Sequence, residues 1–472
     1  MPNKFTGKPN ASPISQLSGR YEEFNLRENP FPSEPMVNKD SDDQRINGDI
    51  YEIGLRENEH EQILNYFLKI SQNDPNHLRL GYIIDTSYIG RGNGKSAFLI
   101  HLLHEINQKY ALDISDGTNK CFALYVTPEP GGRSKTFGSF VDLVFQSIIS
   151  SNIIQNCAAI LRLNGILEAY PHALEDKDFE DEDELISNLN DEEWFKTKGI
   201  NLSVVREFIQ KNQFLQQLPP DFPLFTEINK HTLFPKMVTS EDFIIHYNEM
   251  KKGKPRIDFV FSHLVRFFQA ADFNGAYILV DDFERIPDFQ SSRQKRDFAL
   301  ELRSVLFDGV YQSAKFGFYN LLLVLHAGVP RLIDEAWQES GMEARSPISE
   351  KNSNHVIPFE KLNKNHTLLL LKKYMDAYRL NESENNIEPF TIDGVERIGE
   401  TSEYNAAQIL RTAYRLLDLV ARDKSNLTQG KIDKSYVDQF IENDKECHEK
   451  EDSITIGKSK PADLRKKAEG SS

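Results

Sequence analysis

The segment Asp85–Leu103, DTSYIGRGNGKSAFLIHLL, places Gly94-Lys95-Ser96 after a run of glycines and ahead of an apolar periodic stretch. These residue types can grip phosphate. Glycines let backbone N–H groups turn inward and approach phosphate oxygens closely. A helix that begins near Lys95 adds the positive end of its dipole. Lys95 would reach the β- and γ-phosphates, and the Ser96 hydroxyl would ligate Mg²⁺. Gly90, Gly92, Asn93, Gly94 and Ala97 complete the candidate cradle. The spacing departs from G-x-x-x-x-G-K-[ST], because position 89 is Ile89 and Gly90 comes one residue late. The competing reading is a chance glycine turn before a helix.

A second constellation is YILVDDF, Tyr277–Phe283. Phosphoryl transfer needs an acid beside the loop strand to hold the Mg²⁺ and its waters, and Asp281 fits that role. Asp282 follows where a group that orients or deprotonates the attacking water is wanted, one methylene shorter than a glutamate. Glu284 is a second candidate, beyond the end of the strand. Acidic strand ends are common without any function. The distance downstream of the loop is what favours the functional reading.

These residues need elements to hold them. LRLGYIID reads as a buried strand before the glycines, and Phe98, Leu99, Leu102, Leu103 and Ile106 recur at helical spacing after them. Further strands are expected at Cys121–Thr127, in GAYILVDDFERI, at Asn320–Gly328 and at Val356–Leu362. Strands alternating with helices imply a five-stranded parallel sheet, an α/β fold with helices on both faces. Residues 1–48, rich in Pro, Asn, Ser and charge, read mostly as an extended arm in which NPFPSEP is a PPII-like or docking segment. Residues 49–360 then form the phosphate-loop domain, with a largely helical insertion at about 150–250. Residues 361–443 form an all-helical C-terminal domain, and 444–472 a disordered tail.

Composition narrows the partners. The 472 residues are 39% hydrophobic and 27% charged, enough for a sizeable core. No apolar run is long enough to cross a bilayer, and the polar N-terminus has no signal region. A cytoplasmic chain with no membrane partner is expected. Cys121, Cys157 and Cys447 are too widely spaced for a disulfide framework or a zinc site. A net charge of −16 repels nucleic acid, so DNA contact would need a local basic patch. Ser291–Arg296 (SSRQKR) and Lys251–Arg256 (KKGKPR) are the two candidates, each with the alternative of a solvated surface.

Together, GRGNGKS at 90–96, ILVDDFERI at 278–286, LLLVLHAG at 321–328 and the helical region from Phe359 resemble an AAA+ P-loop ATPase. The nearest types are the origin-initiator, secretion-pathway and transposition ATPases, with phage-defence ATPases close by. The resemblance spans roughly residues 50–135 and 255–442 and leaves out the insertion. It implies ATP and Mg²⁺ as cofactors and a homo-oligomer that acts on a protein partner or on double-stranded DNA. It makes His326 a sensor of the γ-phosphate. It makes Arg345 a finger directed at a neighbouring subunit, with Arg331 as runner-up. It makes the C-terminal helices a lid. In that lid the family's sensor arginine would fall at Ala407, so Gln408, Arg411 and Arg415 are the substitutes and Arg411 the choice. IYEIGLRENEHEQI resembles the adenine-side segment. The implied function is a Mg-ATP-hydrolysing switch or motor, in DNA mobility or phage defence. One alternative is a STAND-like signalling ATPase that oligomerises with slow hydrolysis. Another is an interaction protein with a degenerate loop.

Overall fold

The computed structural model describes residues 20–72, 74–86, 91–172, 182–224, 239–326, 330–350, 353–381, 387–423 and 430–443. Gly90 and Ile89, the tail from 444 and most of the acidic run at 174–185 lie outside the described residues. The chain divides into two compact units. The first comprises Met1–Leu55, Arg91–Gly94 and Lys361–Ser472, and the second Arg56–Gly90 and Lys95–Glu360.

The second unit holds the sheet. Its five strands are β1 (Leu80–Asp85), β2 (Cys121–Val126), β3 (Gly275–Val280), β4 (Tyr319–Leu325) and β5 (Val356–Phe359). All neighbours are parallel, in the order β2-β3-β4-β1-β5. β1, β3 and β4 are buried along their whole length. That is why they read as near-continuous apolar runs rather than alternating ones. One face, with Leu80, Tyr82, Phe122, Ile278 and Leu321, packs into a core shared with the helix Phe137–Ser150. The other face meets the turn Leu64–Leu68, where a Cβ on Gly81 would come within 2.5 Å of the Phe67 ring. The acid-bearing strand was expected beside the loop strand. Instead β4 lies between β3 and β1, because the chain crosses from β1 to the far edge and returns strand by strand.

Within 150–250 the described residues form helices, including Ile153–Ala169, Leu202–Gln210 and Ser240–Glu249, and no strand. They extend the same core, where Phe222 packs edge-on against Phe243 at 5.6 Å. No single helix among the described residues is long and apolar enough to cross a membrane.

In the first unit, the helices Lys364–Ala377, Ile392–Thr401 and Ala406–Arg422 close around a second core. The expected arm is irregular but not detached. Tyr21, Leu26 and Phe31 are buried in this core, and Leu26 bridges to Arg379. Phe31, from NPFPSEP, lies 6.1 Å from the Phe390 ring and 6.3 Å from Tyr374.

Candidate functional site

β1 and β4 are neighbours whose outgoing connections run in opposite directions along the sheet, one toward β2 and the other to β5. Ligand crevices form outside the carboxyl ends of strands at such a switch point. Asp85 ends β1, His326 follows β4, and Asp281 and Asp282 follow β3. The two-strand step from β1 to β3 spans about 10 Å.

The helix Lys95–Gln108 begins at Lys95, where the sequence reading expects it, with Ser96 and Ala97 in its first turn. Lys95 is buried and its ammonium donates to Asp85 Oδ2 at 2.5 Å, so the lysine's counter-charge is the last residue of its own strand. Ahead of the helix, Gly92 and Gly94 have φ of +99° and +83°. At Gly92 there is also no room, because a Cβ would lie 2.6 Å from Asn405 Oδ1 and 2.8 Å from Ala407 Cβ. Asn405 Nδ2 donates to Arg91 O at 2.8 Å and the Ala407 N–H to Gly92 O at 3.1 Å. Asn405 also caps the helix Ala406–Arg422. Ala407, the position expected for a sensor arginine, thus touches the loop through its backbone. Arg411 is exposed, and Arg415 sits 5.0 Å over the Phe440 ring. Asn93 is buried.

Asp281 is buried and firmly held. Tyr125 Oη donates to its Oδ2 at 2.7 Å, and the Asp282 N–H to its Oδ1 at 2.9 Å. Burial, with the Asp281 charge next, drives the Tyr125 hydroxyl well above its usual pKa, so it remains a neutral donor. Asp282 takes a left-handed φ of +47°, and its carboxylate forms an ion pair with Arg285. Arg285 is itself anchored to Pro128 O at 3.0 Å. Glu284 is 7% exposed and lies 3.0 Å from His326 Nε2, close enough for an ion pair. Among the described residues, no donor is aligned for a hydrogen bond to either of its oxygens. Ligand atoms of Asp282, Glu284 and His326 all lie within 4.8 Å of one another.

Other candidates lie elsewhere. Arg345 is exposed, and the next residue, Ser346, donates to Leu80 O at 2.9 Å, at the opposite end of β1 from the loop. Within one chain the structure does not bring Arg345 to the phosphate loop. Arg331 lines a groove of about 550 Å³ together with Arg293, Arg296, Glu335 and Glu339. The SSRQKR patch is a capped helix start, with Ser291 as N-cap. Two of its three cations face acids, Arg293 near Asp297 at 3.7 Å and Arg296 near Glu339 at 3.6 Å. In KKGKPR, Arg256 pairs with Asp142 at 3.0 Å and lies 4.6 Å over the Tyr247 ring.

Sequence reasoning missed Asp85, Tyr125, Arg285 and Asn405. Asp85 carried the same signal as Asp281, an acid that closes an apolar strand. Tyr125 acts on a residue 156 positions away and left no local mark. Comparison of the chain with protein-family models, with curated proteins and with solved structures gives no match.

Proposed function

We propose that the chain binds Mg-ATP at the carboxyl edge of β1, β4 and β3 and hydrolyses it as an AAA+ type switch or motor. The observation that carries this reading is the assembly at one sheet edge of a helix-initiating Gly-Lys-Ser, a held aspartate, and a buried glutamate beside a histidine. The glycine loop and the helix start offer N–H groups to phosphate, and Lys95 adds its charge. Ser96 and Asp281 are the oxygen donors suited to Mg²⁺, which when bound would neutralise phosphate charge. Tyr125 and the Asp282 N–H hold the Asp281 carboxylate in one orientation.

The water-activating role falls to Glu284 rather than Asp282. Asp282 is engaged by Arg285, whereas Glu284 lacks an aligned donor and faces His326. In this reading the helices of the first unit are the counterpart of a lid, and within that unit Asn405 and Ala407 hold Arg91 and Gly92. Homo-oligomerisation, with Arg345 directed at a neighbouring copy, belongs to the same proposal. So does action on a protein partner or double-stranded DNA.

The test is Mg-ATP binding and turnover by the wild type, Lys95→Ala, Asp282→Asn and Glu284→Gln, with and without double-stranded DNA. Lys95→Ala should lose binding. Glu284→Gln should bind normally and lose turnover by about 100-fold or more, with Asp282→Asn less affected. Stimulation by DNA selects a DNA partner. Slow turnover with retained nucleotide selects a signalling switch. A wild-type chain that binds no nucleotide ends the proposal.

A further inference from the structure

Away from the phosphate loop, the same unit assembles a second group of metal-ligating side chains. His60 lies on the helix Glu57–Ile63, and His101 and Glu105 on the helix Lys95–Gln108. His101 and Glu105 are four residues apart, the spacing that stacks two side chains on one helical face. Ligand atoms of the three residues all lie within 4.8 Å of one another. His60 Nε2 and Glu105 Oε2 are 2.8 Å apart, and the two imidazole centroids 6.2 Å apart. His60 is buried against the edge of Phe98, with ring centroids 6.5 Å apart, and Phe98 packs on Phe359 at 5.2 Å. His101 and Glu105 are half-buried, which leaves a route for an ion.

We propose that His60, His101 and Glu105 bind one Zn²⁺, with a water as the fourth ligand, and so clamp the helix Glu57–Ile63 to the helix that starts at Lys95. Two imidazoles and a carboxylate are a nitrogen-and-oxygen set suited to zinc-class ions. Mg²⁺ and Ca²⁺ prefer oxygen throughout. Zinc bonds of about 2.0–2.1 Å in tetrahedral geometry separate the donor atoms by about 3.3 Å. His60 Nε2 and Glu105 Oε2 are already closer than that at 2.8 Å, and the remaining donor atoms lie within 4.8 Å. A plain His60–Glu105 ion pair would join the helices without His101. The third donor, one turn before Glu105 on the same face, is what turns the pair into a three-ligand set. The inference is independent of the nucleotide reading.

The experiment strips the full-length chain with chelator and titrates Zn²⁺ against a competing chromophoric chelator. Co²⁺ absorption reports the geometry. One Zn²⁺ per chain is expected, bound more tightly than about 1 μM, with a tetrahedral Co²⁺ spectrum. His101→Ala and Glu105→Gln should each weaken binding by at least about 100-fold while circular dichroism stays that of the wild type. His104→Ala, on the same helix but outside the trio, should bind as the wild type does. The inference is overturned by a wild-type chain that retains no zinc. It is equally overturned by unchanged binding in His101→Ala, or by a loss in His104→Ala as large as that in His101→Ala.

Discussion

The Lys95–Asp85 pair gives the sharpest prediction, because it separates folding from binding. Both side chains are almost wholly buried, at 7% and 4% exposure, and their charged atoms are 2.5 Å apart. Removing one partner of such a pair typically costs about 3–5 kcal/mol, because the other charge stays desolvated without its counter-ion. Lys95→Ala and Asp85→Asn should therefore each lower the denaturant midpoint of the sheet unit by an amount of that order. In the double variant neither charge remains, so it should recover more than half of either loss. Binding should split differently. In the wild type, phosphate oxygens would have to draw Lys95 away from Asp85. Asp85→Asn, with no carboxylate competing for the ammonium, should then bind Mg-ATP at least as tightly as the wild type. Lys95→Ala should not bind it. The assays are denaturation followed by tryptophan fluorescence and equilibrium titration with a fluorescent ATP analogue. Losses that simply add in the double variant would mean that the two charges do not support each other. Loss of ATP binding in Asp85→Asn would show that Asp85 positions the loop rather than competing for Lys95.

Two further perturbations test the frame around the site. Burial pushes the His77 imidazole from 6.5 down to about 4, while its Nε2 meets Phe67 O at 2.9 Å. A depressed pKa keeps the native ring neutral, so its stabilisation is complete above pH 6.5 and disappears as pH falls toward 4. The gap corresponds to about 3 kcal/mol, and His77→Phe should show a shallower fall in denaturation midpoint between pH 7 and pH 4.5; equal falls would contradict this. Gly92→Ala would place a Cβ at φ +99° and 2.6 Å from Asn405 Oδ1, costing at least about 1–2 kcal/mol locally. It should weaken ATP binding and raise proteolytic cleavage near the loop, and unchanged values in both would refute that role for the loop contact.

The strands and the loop were legible because their signals are local. A strand covered on both faces must be apolar at every position, and GAYILV and YNLLLVL are. Gly-Lys-Ser marks its own helix start. Strand order was not legible, because the contact of β1 with β4 depends on a partner more than 200 residues downstream. The burial of Phe31 was hidden for the same reason. Its Pro- and Asn-rich surroundings have the composition of a solvated arm, and only the distant rings of Tyr374 and Phe390 give it a core. Arg256 looked like part of a basic patch until Asp142, far off in sequence, and the nearby Tyr247 ring claimed it. The choice between Asp282 and Glu284 likewise rested on which acid Arg285 pairs with and which faces His326, contacts that a strand-end motif does not reveal.

The role proposed for Glu284 can be told from a purely structural one. A buried carboxylate with no aligned donor carries a desolvation cost that packing does not return. His326 Nε2, 3.0 Å away, is the polar group that faces it, without a directed hydrogen bond. If stability alone governed this position, a neutral side chain of the same shape would serve as well or better. Glu284→Gln should therefore leave the denaturation midpoint unchanged or raise it, while ATP turnover collapses and ATP binding persists. Asp282→Asn should do the reverse in stability, because it removes the charge that Arg285 pairs with on a strained turn. A Glu284→Gln chain that unfolds more easily than the wild type would make Glu284 a structural partner of His326 and return the water-activating role to Asp282.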